Sequence, residues 1–244
     1  MSKKTSLRQF LMQAGIFERA GDCINAIRSG KAAIDNAIEL NPNHFFNPKK
    51  SLVTLDGKKI KKAEKAYFLF NKPSGCICQK SDKEKNIYSL IKEIGIDDNL
   101  ALSLSAVGRL DRDTEGLMIL TNDGSLSQLI LDPKNRIEKE YLAVLELPLS
   151  KSDARKIKSG VEIEVEGNAY KAKALRIEFS GQNKVHVSIT EGKKRQVRKM
   201  FEAVGNKVSH LKRVSIGNLK LGDLKTKEIR KINKEELLEK IGIK

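Results

Sequence analysis

Tryptophan is absent, aromatic residues make up 5% of the 244 positions, and only three cysteines and five prolines occur. Each shortage closes a possibility. With so few rings, base stacking cannot be the main source of affinity for a nucleic acid. Cys23, Cys76 and Cys78 are too few for a disulfide framework and predict a reducing compartment, the cytoplasm. No run of about 18 apolar residues occurs, so no membrane span is expected. The first seventeen residues contain no acid, yet they lack the apolar run and small-residue cleavage site of a secretory signal. Neither a Walker loop nor a dinucleotide fingerprint is found. Positive charge is what the chain has in abundance: 47 Lys and Arg against 31 Asp and Glu, a net +16, alongside 39% hydrophobic residues. That is enough apolar material for a core, and the charge points to a polyanionic partner, nucleic acid first.

The pattern along the chain divides near residue 60. Ser6 can cap a helix whose Leu7, Phe10, Leu11 and Ala14 share one face, stopped by Gly15. A second helix carries Ala20, Cys23, Ile24 and Ile27 and stops at Gly30. Turn chemistry then surrounds a strand at Leu52–Leu55. Twelve Lys and Arg against five acids fall in this piece, Arg8, Arg28 and Lys31 among them, and Lys58–Lys62 reads as a linker. From Ala66 onward strands dominate. Tyr67–Phe70 reads as a buried strand ending in a turn with Lys72 at its tip. Further strands are expected at 117–120, 141–147, 161–165, 170–177 and 185–189, and helices at 125–131, 151–159 and 195–204. Asn233 and Glu236 form a capping box for a last helix. Strands without a βαβ rhythm predict an α+β fold with a mixed, mainly antiparallel sheet. The expected organisation is a small module over 1–60 and a larger domain over 66–244.

Two stretches are chemically distinctive. In Gly108-Arg109-Leu110-Asp111-Arg112-Asp113-Thr114-Glu115-Gly116, three acids fall within five residues between glycines. A calcium loop fails, because the twelfth position, where a bidentate Glu is needed, is Asn122. A metal-dependent phosphatase with Asp111 as nucleophile, a carboxylate pair for glycoside hydrolysis, and a charged turn with internal Arg–Asp pairs stay open. The second stretch is Glu191–Phe201. Its Val197, Met200 and Phe201 form a buried helical stripe, with Arg198 at the edge, where it could enter a cleft or pair with Glu202. Nine Lys and Arg against two acids lie between Lys184 and Arg213, a density suited to phosphate contacts. Cys76-Ile77-Cys78 has no second cysteine pair for zinc, and His44, His186 and His210 have no ligand spacing.

Together these stretches resemble a known family. Gly108–Leu117, running on to Thr121-Asn122-Asp123-Gly124, is similar to the catalytic signature of the RsuA/RluB/RluE/RluF branch of pseudouridine synthases. Asn71–Gly75 resembles its first motif, Lys139–Leu142 its active-site tyrosine segment and Glu191–Phe201 its last catalytic motif, in the family's order. The stretches Leu211–Gly217 and Leu219–Gly222 also fit, so the resemblance covers roughly Ala66 to Lys231. It implies a reaction that detaches uracil from ribose, rotates it and rejoins it through carbon, with no metal or cofactor. Asp111 would be the nucleophile, Arg198 would pair with it and hold it ionised, and Tyr141 would lie against the uracil. Arg109 would fill the space left by the flipped base, and Lys72, Arg195 and Lys199 would contact RNA. The N-terminal piece resembles the RNA-binding module of ribosomal protein S-four. It has Glu18–Asp22 where that module commonly has a basic stretch, and Ile34-Asp35-Asn36 where it has Val-Asn-Gly. Arg8, Arg28 and Lys31 would serve RNA there. The implied partner is ribosomal RNA or a pre-ribosomal particle, large-subunit RNA favoured on the RluB-like motifs, met by a monomer. The alternative is a non-catalytic RNA-binding or ribosome-assembly factor on the same scaffold.

Overall fold

A computed structural model describes residues 4–81 and 83–243. It divides into two compact units.

The first unit gathers the residues up to Ala66 with Gln79–Ser105 and Leu120–Asp123. A short strand, β1 (Thr5–Ser6), pairs antiparallel with β4 (Phe45–Phe46). The Ser6 side chain accepts from the Gln9 amide and caps α1 (Leu7–Gln13). Gly15 ends this turn of chain at φ +71, where a Cβ would fall 1.7 Å from the Asn99 carbonyl oxygen, so only glycine fits. Leu7, Phe10 and Leu11 meet Cys23 and Ile27 of α2 (Ala20–Arg28) in a small core. Four strands follow in the order β3-β2-β5-β6, with β2 at Ala32–Ile34, β3 at Ala37–Ile38, β5 at Val53–Leu55 and β6 at Lys58–Lys59. The β2–β3 turn places Asp35 and Asn36 at φ 50 and 69, which these two residue types tolerate better than most. Lys58 and Lys59, expected in a linker, instead pair with Thr54 and Leu55. Asp56 and Gly57 close that hairpin, and strand pairing there tolerates two exposed lysines. Helices α3 (Ile87–Glu93) and α4 (Asp98–Ser103) are capped by Asn86 and Asp97.

The second unit is built on a nine-stranded sheet. Its path is β13 (Arg176–Phe179), β14 (Lys184–Ile189), β10 (Lys139–Leu145), β15 (Val208–Ile216), β9 (Thr114–Thr121), β7 (Tyr67–Lys72) and β17 (Ile229–Lys231). Two short strands, β8 (Ser105–Val107) and β16 (Leu219–Lys220), pair with β9 and β15. The β9–β15 pair is parallel, while β10 runs antiparallel to both β14 and β15. The fold is therefore α+β with a mixed, mainly antiparallel sheet. Leu117 and Ile119 enter a core with Leu126 and Ile130 of α5 (Gly124–Leu131) and Leu237 and Ile241 of α8 (Lys234–Ile241). The strand expected over 170–177 is two strands. A hairpin of β11 (Val161–Val165) and β12 (Asn168–Ala172) ends, and Ala174 then donates to Ile157 of α6 (Lys151–Ser159). Leu175 donates to Ser188, which carries the chain into the large sheet.

Side chains alternate across the sheet, so the neighbours of Leu117 on β9 face away from that core. By register Tyr141 of β10 lies opposite Arg213 of β15, and Arg213 lies opposite Gly116 of β9. These three positions form one row on the second face.

Candidate active site

The loop before β9 is held atom by atom. The Leu110 amide donates to Cys78 Sγ at 3.4 Å, and the thiol donates back to the Leu110 carbonyl at 3.2 Å. Burial pushes the Cys78 thiol up, so it keeps the proton that this second bond needs. Lys72 has no exposed surface. Its Nζ donates to the carbonyls of Pro73, Asp111, Arg112 and Thr114 at 3.1, 3.1, 3.3 and 2.8 Å. The Asp113 carbonyl, which Lys72 does not reach, accepts from Arg198 Nη2 at 3.0 Å. Lys72 is thus not an RNA contact at a turn tip. It ends the buried strand β7, where water cannot solvate an ammonium, and the loop carbonyls take the place of water. Burial lowers its pKa, opposed by the carboxylates of Asp113 and Glu115.

The opposing wall is α7 (Gln196–Glu202). Arg198 is 5% exposed and donates Nη1 to the Val208 carbonyl at 2.6 Å. Its Nε lies 3.2 Å from Asp113 Oδ2, and Arg195 Nη1 reaches both Asp113 oxygens at 3.0 Å. The resemblance implies Asp111 as the partner of Arg198, and the structure gives it Asp113 instead. The turn closed by the Thr114 amide on the Asp111 carbonyl brings Asp113 to the two arginines, and Asp113 is their direct counter-ion. Burial pushes the Arg198 guanidinium down, Asp113 pulls it up, Arg195 lowers it, and Asp111 raises it from further away. Nor does Arg198 pair with Glu202 on the surface.

Arg195, expected at RNA, caps α7 at φ 55, a left-handed backbone that arginine rarely adopts. Sequence reasoning missed what fixes it. Glu191 accepts from Tyr170 Oη and from Gln196 Nε2, the latter at 2.7 Å, while Gln196 Oε1 accepts from the Lys193 amide at 2.9 Å. The hydrogen bond to Glu191, with burial and the carboxylate charge, pushes the Tyr170 hydroxyl up to about 12. A tyrosine on a polar hairpin strand gives no sign of a partner 21 residues on. Lys199, also expected at RNA, donates its Nζ to the Glu164 carbonyl of β11.

The remaining positions fall as follows. Asp111 is half-buried in the loop, and Arg109 is exposed just after Gly108. Tyr141 is 7% exposed on β10, one strand from Arg213. Strands lie about 4.8 Å apart, so the Tyr141 and Gly116 backbones are about 10 Å apart across Arg213. Asp111, Tyr141, Arg198, Arg109 and Lys72 therefore belong to one unit. Arg8, Arg28 and Lys31 are exposed in the other. Among the described residues no cluster of three or more His, Cys, Asp or Glu could hold a metal ion, and no helix is long and apolar enough to cross a membrane.

A family model described as RNA pseudouridylate synthase matches residues 66–203, from the first buried strand through α7. The chain belongs to that family. This pseudouridine synthase is 34% identical over 235 residues to an RNA pseudouridine synthase of Aquifex aeolicus, covering 95% of the chain and 91% of the relative. It is 34% identical over 213 residues to the ribosomal small subunit pseudouridine synthase A of Escherichia coli (strain K12), covering 86% of the chain and 89% of the relative. A pseudouridylate synthase crystal structure superposes with a TM-score of 0.67 at 31% identity, covering 97% of this chain and 99% of that one. Like its family, the synthase acts on uridine in RNA.

Proposed function

We propose that the synthase isomerises one uridine of ribosomal RNA, with Asp111 as nucleophile, Tyr141 against the base and Arg198 behind the loop. The observation that supports this most is the clamp on residues 110–114, where every backbone carbonyl is engaged. With the backbone so occupied, the Asp111 side chain is presented from a fixed base, as attack on one carbon atom requires. The carboxylate attacks the anomeric carbon of the ribose, and the C1′–N1 bond breaks with its electron pair passing to the uracil. The base turns, C5 bonds to C1′, and the Asp111 ester bond breaks with its pair returning to the carboxylate. The C5 proton then leaves to water, its electron pair restores the ring, and N1 takes up a proton; the Tyr141 hydroxyl serves that exchange. Reaching the uridine requires the base to leave its stack, at a cost of a few kcal/mol. Exposed Arg109, beside the nucleophile, fills the gap.

Residues 1–60 act as an RNA-binding module of the ribosomal S-four type, with Arg8, Arg28 and Lys31 on phosphates. The catalytic domain over 66–244 does the chemistry, and the protein works as a monomer. The name of the Escherichia coli relative supports ribosomal RNA as the substrate class and points to the small subunit. The RluB-like stretches Glu191–Phe201 and Leu211–Gly222 point to the large one. Pseudouridine maps of both ribosomal RNAs, from cells with and without the protein, decide between them. One site lost from either RNA is the expected result, and unchanged maps in both contradict the proposal.

A further inference from the structure

Arg213 is a buried cation that the mechanism above does not use. It is 3% exposed, and its Nε donates to the Leu117 carbonyl at 2.7 Å. Its Nη2 is buried and has no hydrogen-bond partner. Among the described residues no acid lies within ion-pair distance of it. The other buried cations of this unit are compensated: Lys72 has four carbonyls, and Arg198, whose Nε also lacks a hydrogen bond, has two carbonyls and the Asp113 charge. A buried guanidinium with a spare donor and no counter-charge is costly to keep.

Its placement is built by the sheet. Gly116, the β9 partner of Arg213, has φ +106, and a Cβ there would fall 2.2 Å from the Arg213 carbonyl oxygen. Glycine therefore lets β9 and β15 pinch together and leaves the strand bare, so that the Arg213 side chain crosses it to Leu117. On the other side its register partner is Tyr141. Its charge also acts on the Cys78 thiol, which holds Leu110 beside Asp111, and on Lys139 of β10.

We propose that Arg213 is a further catalytic residue, donating a hydrogen bond to a carbonyl oxygen of the target uracil. This rests on the reading of Asp111 as nucleophile and Tyr141 as the neighbour of the base. When the C1′–N1 bond breaks toward the base, the added electron pair spreads onto O2 and O4. A positive donor beside Tyr141 is strongest at that moment. Arginine suits the place better than lysine, because its fork keeps the Leu117 bond while a second N–H points elsewhere.

The test uses the full chain, the ribosomal RNA fragment it modifies, and single-turnover release of tritium from C5 of the target uridine. Wild type, Arg213→Gln and Arg213→Lys are compared on uridine, 2-thiouridine and 4-thiouridine at that position. Arg213→Gln slows uridine turnover by about 100-fold, the scale for losing one oxyanion donor, with RNA affinity within about two-fold. Wild type slows by about ten-fold on one of the two thio-substituted RNAs, sulfur being the poorer acceptor, and Arg213→Gln shows almost none of that further loss. Penalties that simply multiply, a rate for Arg213→Gln within about three-fold of wild type, or a loss confined to RNA affinity overturn the proposal. If Arg213→Gln does not melt as a folded protein, Arg213→Lys takes its place in the comparison, and the same results support or overturn the proposal. Failure of wild type to turn over any ribosomal RNA overturns the functional reading and this inference with it. Turnover by wild type with multiplying penalties overturns Arg213 alone.

Discussion

Between Leu110 and Thr114 each carbonyl is bound by a thiol, an ammonium or a guanidinium. Around the Asp35–Asn36 turn of the other unit, Arg28 and Lys31 stand in solvent, and Ile38, Leu40 and Phe45 are 68, 55 and 62% exposed. The first region has exchanged water for protein donors and holds one geometry. The second leaves its cations in solvent, the setting that the proposed contact with a phosphate backbone requires. Chemistry on a single carbon needs the former, and grip on a polyanion tolerates the latter.

Substitutions should separate the two regions. Lys72→Met removes the ammonium and leaves buried carbonyls unsatisfied, so urea unfolding should show a loss of about 3 kcal/mol or more. A loss under about 1 kcal/mol would mean the loop does not depend on it. Asp113→Asn frees Arg195 and Arg198 from their counter-ion. Single-turnover rates should fall by about ten-fold or more as the loop loosens, and RNA affinity should hold or rise, with a steeper salt slope. Weaker RNA binding at an intact rate would reverse the roles given to these arginines.

Tyr170→Phe should act more gently and with a pH signature. The folded hydroxyl ionises at about 12 against 10.0 for the free group, so the folded chain retains a proton that the unfolded chain loses. Stability should therefore decline as pH rises from about 10 toward 12, and the variant should lack that part of the decline. Equal slopes for both proteins would show that the Glu191 bond does not hold the loop before α7. The smallest effect belongs to the open surface. The double variant Arg28→Ala, Lys31→Ala should reduce the salt slope of RNA binding by about two contacts, with turnover of bound RNA unchanged. A changed rate on saturating RNA would tie that face to the chemistry.

Much of this fold is legible locally. Ser6 and Asn233 accept from Gln9 and Glu236, as cap spacing predicts, and the alternating Val161–Val165 forms half of a hairpin. The mixed, mainly antiparallel sheet also follows from strands without a βαβ rhythm. What stays hidden depends on partners distant in sequence. Lys72 looks like a turn-tip lysine until Asp111–Thr114 packs over it. Asp111 and Asp113 are equally plausible partners for Arg198 from spacing alone, and the turn between them decides. Arg213 is one of nine cations between Lys184 and Arg213, set apart only by its register with Tyr141 and Gly116. Lys58 and Lys59 show the opposite error, where local charge suggested a linker and pairing with β5 made a strand.

The most direct measurement concerns the nucleophile. Asp111→Asn, folded and incubated with the ribosomal RNA that wild type modifies, is assayed by carbodiimide labelling and primer extension. No pseudouridine is expected at the target uridine, with RNA binding within about two-fold of wild type, because the proposed phosphate contacts lie on other residues. Continued pseudouridine formation by that variant would contradict the role of Asp111.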